Sequence, residues 1–221
     1  MVPYYDRDGI TIYHADCRDV LPSIDPDSVD LLLTDPPYGI GYDTDATERI
    51  GSGKWAWGGK RYAKVHGDDA PFAPAALLRF GRCVLWGANN YAARLPDSSS
   101  WLVWDRKFHA SRSADAELAW TNLGGTVRVF AHLWDGYKRD SELGFHVHPT
   151  QKPVALMRWI IDRWTKPGDL VLDPYMGSGP IAQACHELGR RYIGIELVED
   201  YCKVAVSRLA QQTLDLDGGA A

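Results

Sequence analysis

A chain of 221 residues, 45% hydrophobic and 24% charged, can bury one full-sized core without disulfides or a structural metal, and a single domain over residues 1–221 is expected. No apolar run is long enough to cross a bilayer, and Met1-Val2-Pro3-Tyr4-Tyr5-Asp6 carries neither the basic nor the apolar stretch of a secretion signal, so a cytoplasmic protein is expected. The formal net charge of −5 excludes a uniformly basic surface, so any contact with nucleic acid has to be local.

Several apolar runs are short and nearly continuous, the pattern of strands buried on both faces of a parallel sheet. The first, residues 10–13, leads into Ala15-Asp16-Cys17; the second, residues 29–34, runs directly into Asp35-Pro36-Pro37-Tyr38. An acid, two rigid prolines and an aromatic ring thus stand where a strand tip would open onto a ligand. Residues 39–71 read as a loop. Within it Lys54, Lys60, Arg61 and Lys64 alternate with Trp55, Trp57 and Tyr62, which gives an acidic chain one basic, aromatic segment suited either to nucleic acid or to a solvated covering of the core. A short helix over 75–80 and strands over 82–86, 101–104 and 127–133 follow, then a second loop over 135–149. Pro153 opens a helix that runs to Thr165, with Met157, Ile160, Ile161 and Trp164 on one face.

A strand over 169–172 then meets Asp173-Pro174-Tyr175-Met176-Gly177-Ser178-Gly179-Pro180, and a helix over 180–188 follows. Gly177 and Gly179 let backbone approach a ligand closely, and the helix start favours an anionic group. The next strand, 191–196, ends in Glu196, about 20 residues beyond the glycines, the spacing at which nucleotide-binding α/β units place an acid on a ribose. A last helix spans 198 to about 211, and 215–221 reads as a polar tail. Strands alternating with helices give an α/β sheet with ligands at the carboxyl ends of its strands. Cys17, Cys83, Cys185 and Cys202 lack zinc-site spacing and read as buried thiols, and His146 with His148 lacks a third ligand, so no metal site is expected.

The chemistry of the two motifs is complementary. An exocyclic amine on a nucleobase is a poor nucleophile because its lone pair is delocalised into the ring. Hydrogen-bond acceptors aimed at its N–H groups return that density, and ionised Asp35 and the fixed carbonyl of Pro36 are such acceptors. Tyr38 offers a face for a base to stack on. By themselves, Asp-Pro-Pro is also a common turn, and Gly177-Ser178-Gly179-Pro180-Ile181-Ala182 also fits the loose G-x-G-x-x-A form of nicotinamide enzymes, which leaves an oxidoreductase or a non-catalytic DNA-binding module as alternatives.

Taken together, Ile12 to Cys17, Asp35 to Tyr38, Trp86-Gly87-Ala88-Asn89-Asn90-Tyr91, His148-Pro149-Thr150-Gln151-Lys152-Pro153, Asp173 to Gly179 and Glu196 resemble the amino-methyltransferases that modify DNA, in the permuted order with the catalytic loop first. The resemblance implies a Rossmann-like fold with a mixed, mostly parallel seven-stranded sheet and helices on both faces. It also implies S-adenosyl-L-methionine as cofactor and DNA as partner. Asp35, Pro36, Pro37 and Tyr38 would handle a flipped base; Asp16 and Cys17 would meet the cofactor adenine; Thr150 and Lys152 would hold its methionine end; His148, Asp173, Tyr175, Gly177, Ser178, Gly179 and Glu196 would line the rest of its pocket. Asp35 favours adenine N6 over cytosine N4, whose enzymes more often carry serine there. Pro180 and Tyr175 depart from the threonine and phenylalanine common in such proteins. No long separate recognition segment is present, so DNA contact falls to residues 39–71, 105–112 or 135–145, and a homodimer is one way such a short chain could extend its reach.

Overall fold

The computed structural model describes residues 1–41, 65–107, 114–135, 138–142 and 151–217. Within them the apolar runs assemble as a nine-stranded sheet. Its strands are β1 (Tyr5–Arg7), β2 (Ile10–His14), β3 (Leu31–Thr34), β4 (Cys83–Trp86), β5 (Trp101–Asp105), β6 (Ala116–Thr121), β7 (Arg128–Ala131), β10 (Leu170–Asp173) and β11 (Arg191–Glu196); β8 (Trp134–Asp135) and β9 (Lys138–Arg139) form a separate ribbon. The order is β1-β2-β11-β10-β3-β4-β6-β5-β7. From β2 to β4 the neighbours are parallel, β6 runs antiparallel to both β4 and β5, and β7 pairs parallel with β5. This is a Rossmann-like α/β sheet, mixed and mostly parallel.

The three strands β3, β4 and β10 are buried along their whole length, as their unbroken apolar runs require. Side chains alternate between faces: Leu31 and Leu33 enter one core, Leu32 the other. The first core is closed by α2 (Val154–Trp164), α3 (Pro180–Glu187) and α4 (Glu199–Asp217). The opposite face has lighter cover, from α1 (Cys17–Val20) and short turns carrying Leu21, Phe72, Leu77 and Phe80. The expectation of helices on both faces is met, but the long ones all lie on one.

Two strands exceed the seven expected. β1 is a three-residue polar edge, and β6 contains Ala and Glu, weak strand formers that become a strand because β4 and β5 pair with it on both sides. The helix expected over 75–80 is only a 3-10 turn at Pro74–Ala76, too short a run to repay helix nucleation. The helix expected to end near residue 211 continues to Asp217. All four cysteines are free and buried. Among the described residues no helix is long and apolar enough to cross a membrane, and no cluster of three potential metal ligands occurs.

Candidate active site

Because β2, β11, β10, β3 and β4 are parallel, their carboxyl ends share one edge of the sheet. There they open onto a cleft of about 1450 Å³ bordered by Asp16, Asp35, Lys152, Asp173, Gly177 and Glu196. The two motifs that the sequence placed after strands therefore face a common space.

One half of the cleft is built on β10 and β11. Asp173 is 1% exposed, and its carboxylate accepts hydrogen bonds from the Thr34 hydroxyl (2.6 Å), the Tyr192 hydroxyl (3.1 Å) and the Tyr175 amide (3.2 Å). Burial pushes its pKa up to about 7 despite those donors. Asp173 thus spends its carboxylate holding the glycine loop from beneath. Gly177 and Gly179 have φ of +56° and +78°, and a Cβ on Gly179 would come 2.7 Å from the Ala205 Cβ, so glycine is what lets the loop lie on α4. Glu196 Oε2 accepts from the Gly177 amide at 2.8 Å and Oε1 from the Val198 amide at 2.7 Å, while burial raises its pKa. Asp16 caps α1 through the Arg18 amide (2.9 Å) and is paired with the Arg18 guanidinium, which lowers its pKa. Next to it, the Cys17 thiol is hydrogen-bonded with the Tyr175 side chain and pushed up by burial. Ser178 is 2% exposed at the same loop.

The other half is built around the Asp35 carboxylate, 19% exposed at the tip of β3. The Tyr38 hydroxyl donates to Oδ1 at 2.6 Å and the Lys152 ammonium donates to Oδ2 at 2.6 Å. Lys152 also donates to the Tyr38 oxygen at 3.2 Å and pairs with Glu117 at 3.1 Å. Burial alone would favour neutral Lys152, since it is 4% exposed, but Asp35 and Glu117 outweigh this and hold its pKa well above the usual range. Tyr38 is pushed up as well, by burial first and then by Asp35, so it stays a neutral donor. Its ring lies against Gly87, where a Cβ would come 1.9 Å from the Tyr38 Cε1. Gly87 has φ of +67° and starts a 3-10 turn, which explains the Trp86 to Tyr91 motif: it is the floor under Tyr38. Pro36 and Pro37 border the cleft beside it.

Lys152, which the resemblance set at the cofactor's methionine end, borders the cleft with its ammonium on Asp35 and Glu117. His148 and Thr150, and the basic residues Lys54, Lys60, Arg61 and Lys64, lie outside the described residues. Two contributors went unread in the sequence. Glu117 sits on β6, and only the alternation of Leu118 and Trp120 could have marked that strand. Asp68 is 4% exposed and accepts the Gly39 (2.7 Å) and Ile40 (3.3 Å) amides, fixing the exit of the chain from Tyr38.

The chain is similar to known proteins. Residues 103–207 match a family described as DNA methylase. The chain is similar to the Type II methyltransferase M2.DpnII of Streptococcus pneumoniae, with 27% identity over 94% of this chain and 92% of that protein. It is similar to the crystal structure of the M1.HpyAVI-SAM complex, with 26% identity, a TM-score of 0.56, and 90% of this chain and 98% of that chain covered. The cytosine-N4-specific PvuII DNA methyltransferase has the same fold, with a TM-score of 0.62 at 15% identity over 93% of this chain and 88% of that one.

Proposed function

We propose that this chain is an N6/N4 DNA methylase that transfers a methyl group from S-adenosyl-L-methionine to the exocyclic N6 amine of adenine in DNA, a reading supported by its similarity to DNA methylases. The observation that supports this most is that Asp35, at the tip of β3, and the glycine loop, at the tip of neighbouring β10, border one cleft.

The residues present fit the cofactor. The Glu196 carboxylate accepts the Gly177, Val198 and Leu197 amides and, with four lone-pair positions, retains acceptor capacity for a ribose hydroxyl. Asp16 and Cys17 border the cleft where its adenine would lie, and Tyr175, Gly177 and Ser178 close the loop above. S-adenosyl-L-methionine supplies, when bound, a methyl group made electrophilic by its sulfonium.

The remaining work falls to this chain's side chains. Extruding an adenine costs a few kcal/mol of unstacking, and Tyr38 supplies an aromatic surface at the place of arrival. Among the described residues Asp35 has one bond on each oxygen, from Tyr38 and from Lys152, which leaves each a lone pair for an amine N–H. With the Pro36 carbonyl it draws the amine lone pair back onto nitrogen and stands ready to take the proton that nitrogen sheds. Holding both reactants in attack geometry lowers the barrier by several kcal/mol without a covalent protein intermediate. Lys54, Lys60, Arg61 and Lys64 would contact DNA phosphates, in a segment whose first described neighbour, Gly41, donates its amide to the Asp68 carbonyl (2.8 Å) beside the cleft. A homodimer and a cytoplasmic location belong to the same proposal; sedimentation with and without DNA would test the former.

The deciding experiment incubates the full chain with the cofactor and DNA, digests the DNA and identifies the modified base. N6-methyladenine is expected. N4-methylcytosine would move the acceptor to the alternative amine, which the fold alone also permits, and unmodified DNA would end the reading.

A further inference from the structure

The acceptor half holds one more carboxylate than a single ion pair needs. Asp35 and Lys152 alone make a complete ion pair; Glu117 reaches the same ammonium from β6, at 3.1 Å, as a second carboxylate. Glu117 is itself steered from its other side, its Oε1 lying 3.9 Å from the Arg106 guanidinium, which donates to the Trp134 carbonyl at 2.9 Å and 3.2 Å. The charged and titratable groups around the ammonium are therefore Asp35 and Tyr38 after β3, Glu117 on β6, and Arg106 behind Glu117, with Tyr91 and Asp173 more distant.

We propose that Glu117 is a positioning residue for the acceptor base: as the second carboxylate on Lys152 it keeps the ammonium seated beside Asp35, so that the Asp35 carboxylate stays aimed at the amine. The inference rests on the methyl-transfer reading. A buried ammonium with one partner could swing to any anion entering the cleft, a ligand carboxylate included; held between two carboxylates it is already matched. Glu117 does not itself have to touch the base.

The test uses the full chain with Glu117→Gln and Glu117→Asp. Without any ligand, the Nζ resonance of Lys152 is followed by nitrogen-15 NMR as pH is raised; methyl transfer to DNA and cofactor affinity are measured separately. Glu117→Gln removes one of the two charges that hold the ammonium, so the resonance should titrate at lower pH than in the wild type. Its kcat should fall about tenfold, equivalent to losing roughly one ion-pair contribution in the transition state, while cofactor affinity stays unchanged. Glu117→Asp keeps the charge and should recover part of both losses. A purely supporting role on β6 would lower kcat without moving the Lys152 titration, and that result overturns the proposal; so does a Glu117→Gln chain with wild-type kcat. A shifted titration in a chain whose wild type modifies no base would sustain the Glu117–Lys152 coupling and overturn the transfer reading instead.

Discussion

The two halves of the cleft handle buried carboxylates in opposite ways. Around the glycine loop, Asp173 and Glu196 are satisfied by backbone amides and neutral hydroxyls, with no cation among the donors described. Around Asp35, a lysine ammonium is shared between two carboxylates. The first arrangement fixes geometry, because the amides, from the segments that follow β10 and β11, cannot move apart without unfolding the loop. The second fixes charge, since what it controls is which protons and ions the site holds. A pocket that must grip a bound molecule wants the former; a group that must change a nitrogen's reactivity wants the latter.

The largest test of that division is Asp35→Ala. Methyl transfer should drop about a thousandfold, the scale for removing a group that acts on the reacting atom, while cofactor affinity holds because no glycine-loop contact involves Asp35. Parallel loss of both, measured as kcat and as a titrated Kd, would mean that the halves are not separable.

Asp173→Asn probes the other half through stability. In the folded chain its carboxyl is pushed up to about 7, against about 3.9 for an unfolded aspartate. The native state therefore binds the proton more tightly, so the contribution of Asp173 to stability is best below about pH 4, falls as pH rises to about 7 and is level above. Asparagine keeps an oxygen for Thr34 and Tyr175 and an amide for the Tyr192 oxygen, but has no charge to desolvate. Relative to wild type, the variant should gain a few kcal/mol between pH 4 and pH 7 in urea unfolding. Parallel stability profiles for the two chains would show that the carboxyl carries no such burden.

The same division decides how much the sequence revealed. The centre of the cofactor half is local: Leu170 to Asp173, the glycines and Arg191 to Glu196 follow one another, so strand, loop and acid can be read from adjacent residues, while Asp16, Cys17 and Thr34 join them from the start of the chain. The acceptor half is assembled across the chain. Lys152 meets Asp35 over a separation of 117 residues, and Glu117 comes from a strand whose composition does not announce one. Periodicity reports which face a residue takes, not which distant charge it meets, so neither the contact of Lys152 with Asp35 nor the part played by Glu117 can be read from it. Gly87 falls between these cases. Its motif was legible, but its purpose became visible only with the Tyr38 ring lying on it.

Gly87→Ala should accordingly disturb only the acceptor half. The new methyl would overlap the Tyr38 ring and strain a backbone at φ +67°, at a cost of about 1–3 kcal/mol. Thermal unfolding should register the loss, and kcat should fall as Tyr38 shifts away from Asp35. A variant with wild-type Tm and kcat would mean that the ring can move aside freely.

Glu196→Gln carries the smallest expected effect and the sharpest discrimination. Both Glu196 oxygens accept backbone amides, from Gly177 and Val198. A glutamine can accept only through one of them, because its NH2 would meet the second amide donor to donor. The loop should loosen at one bond, and the bound ribose should lose a charged acceptor, together worth about tenfold in cofactor affinity. At saturating cofactor, however, kcat should change little, since nothing near Asp35, Lys152 or Glu117 has been altered. Isothermal titration and saturating-substrate kinetics on the same preparation separate the two readouts. If kcat instead falls while Kd holds, then Glu196 acts on the reaction and the assignment of the two halves is reversed.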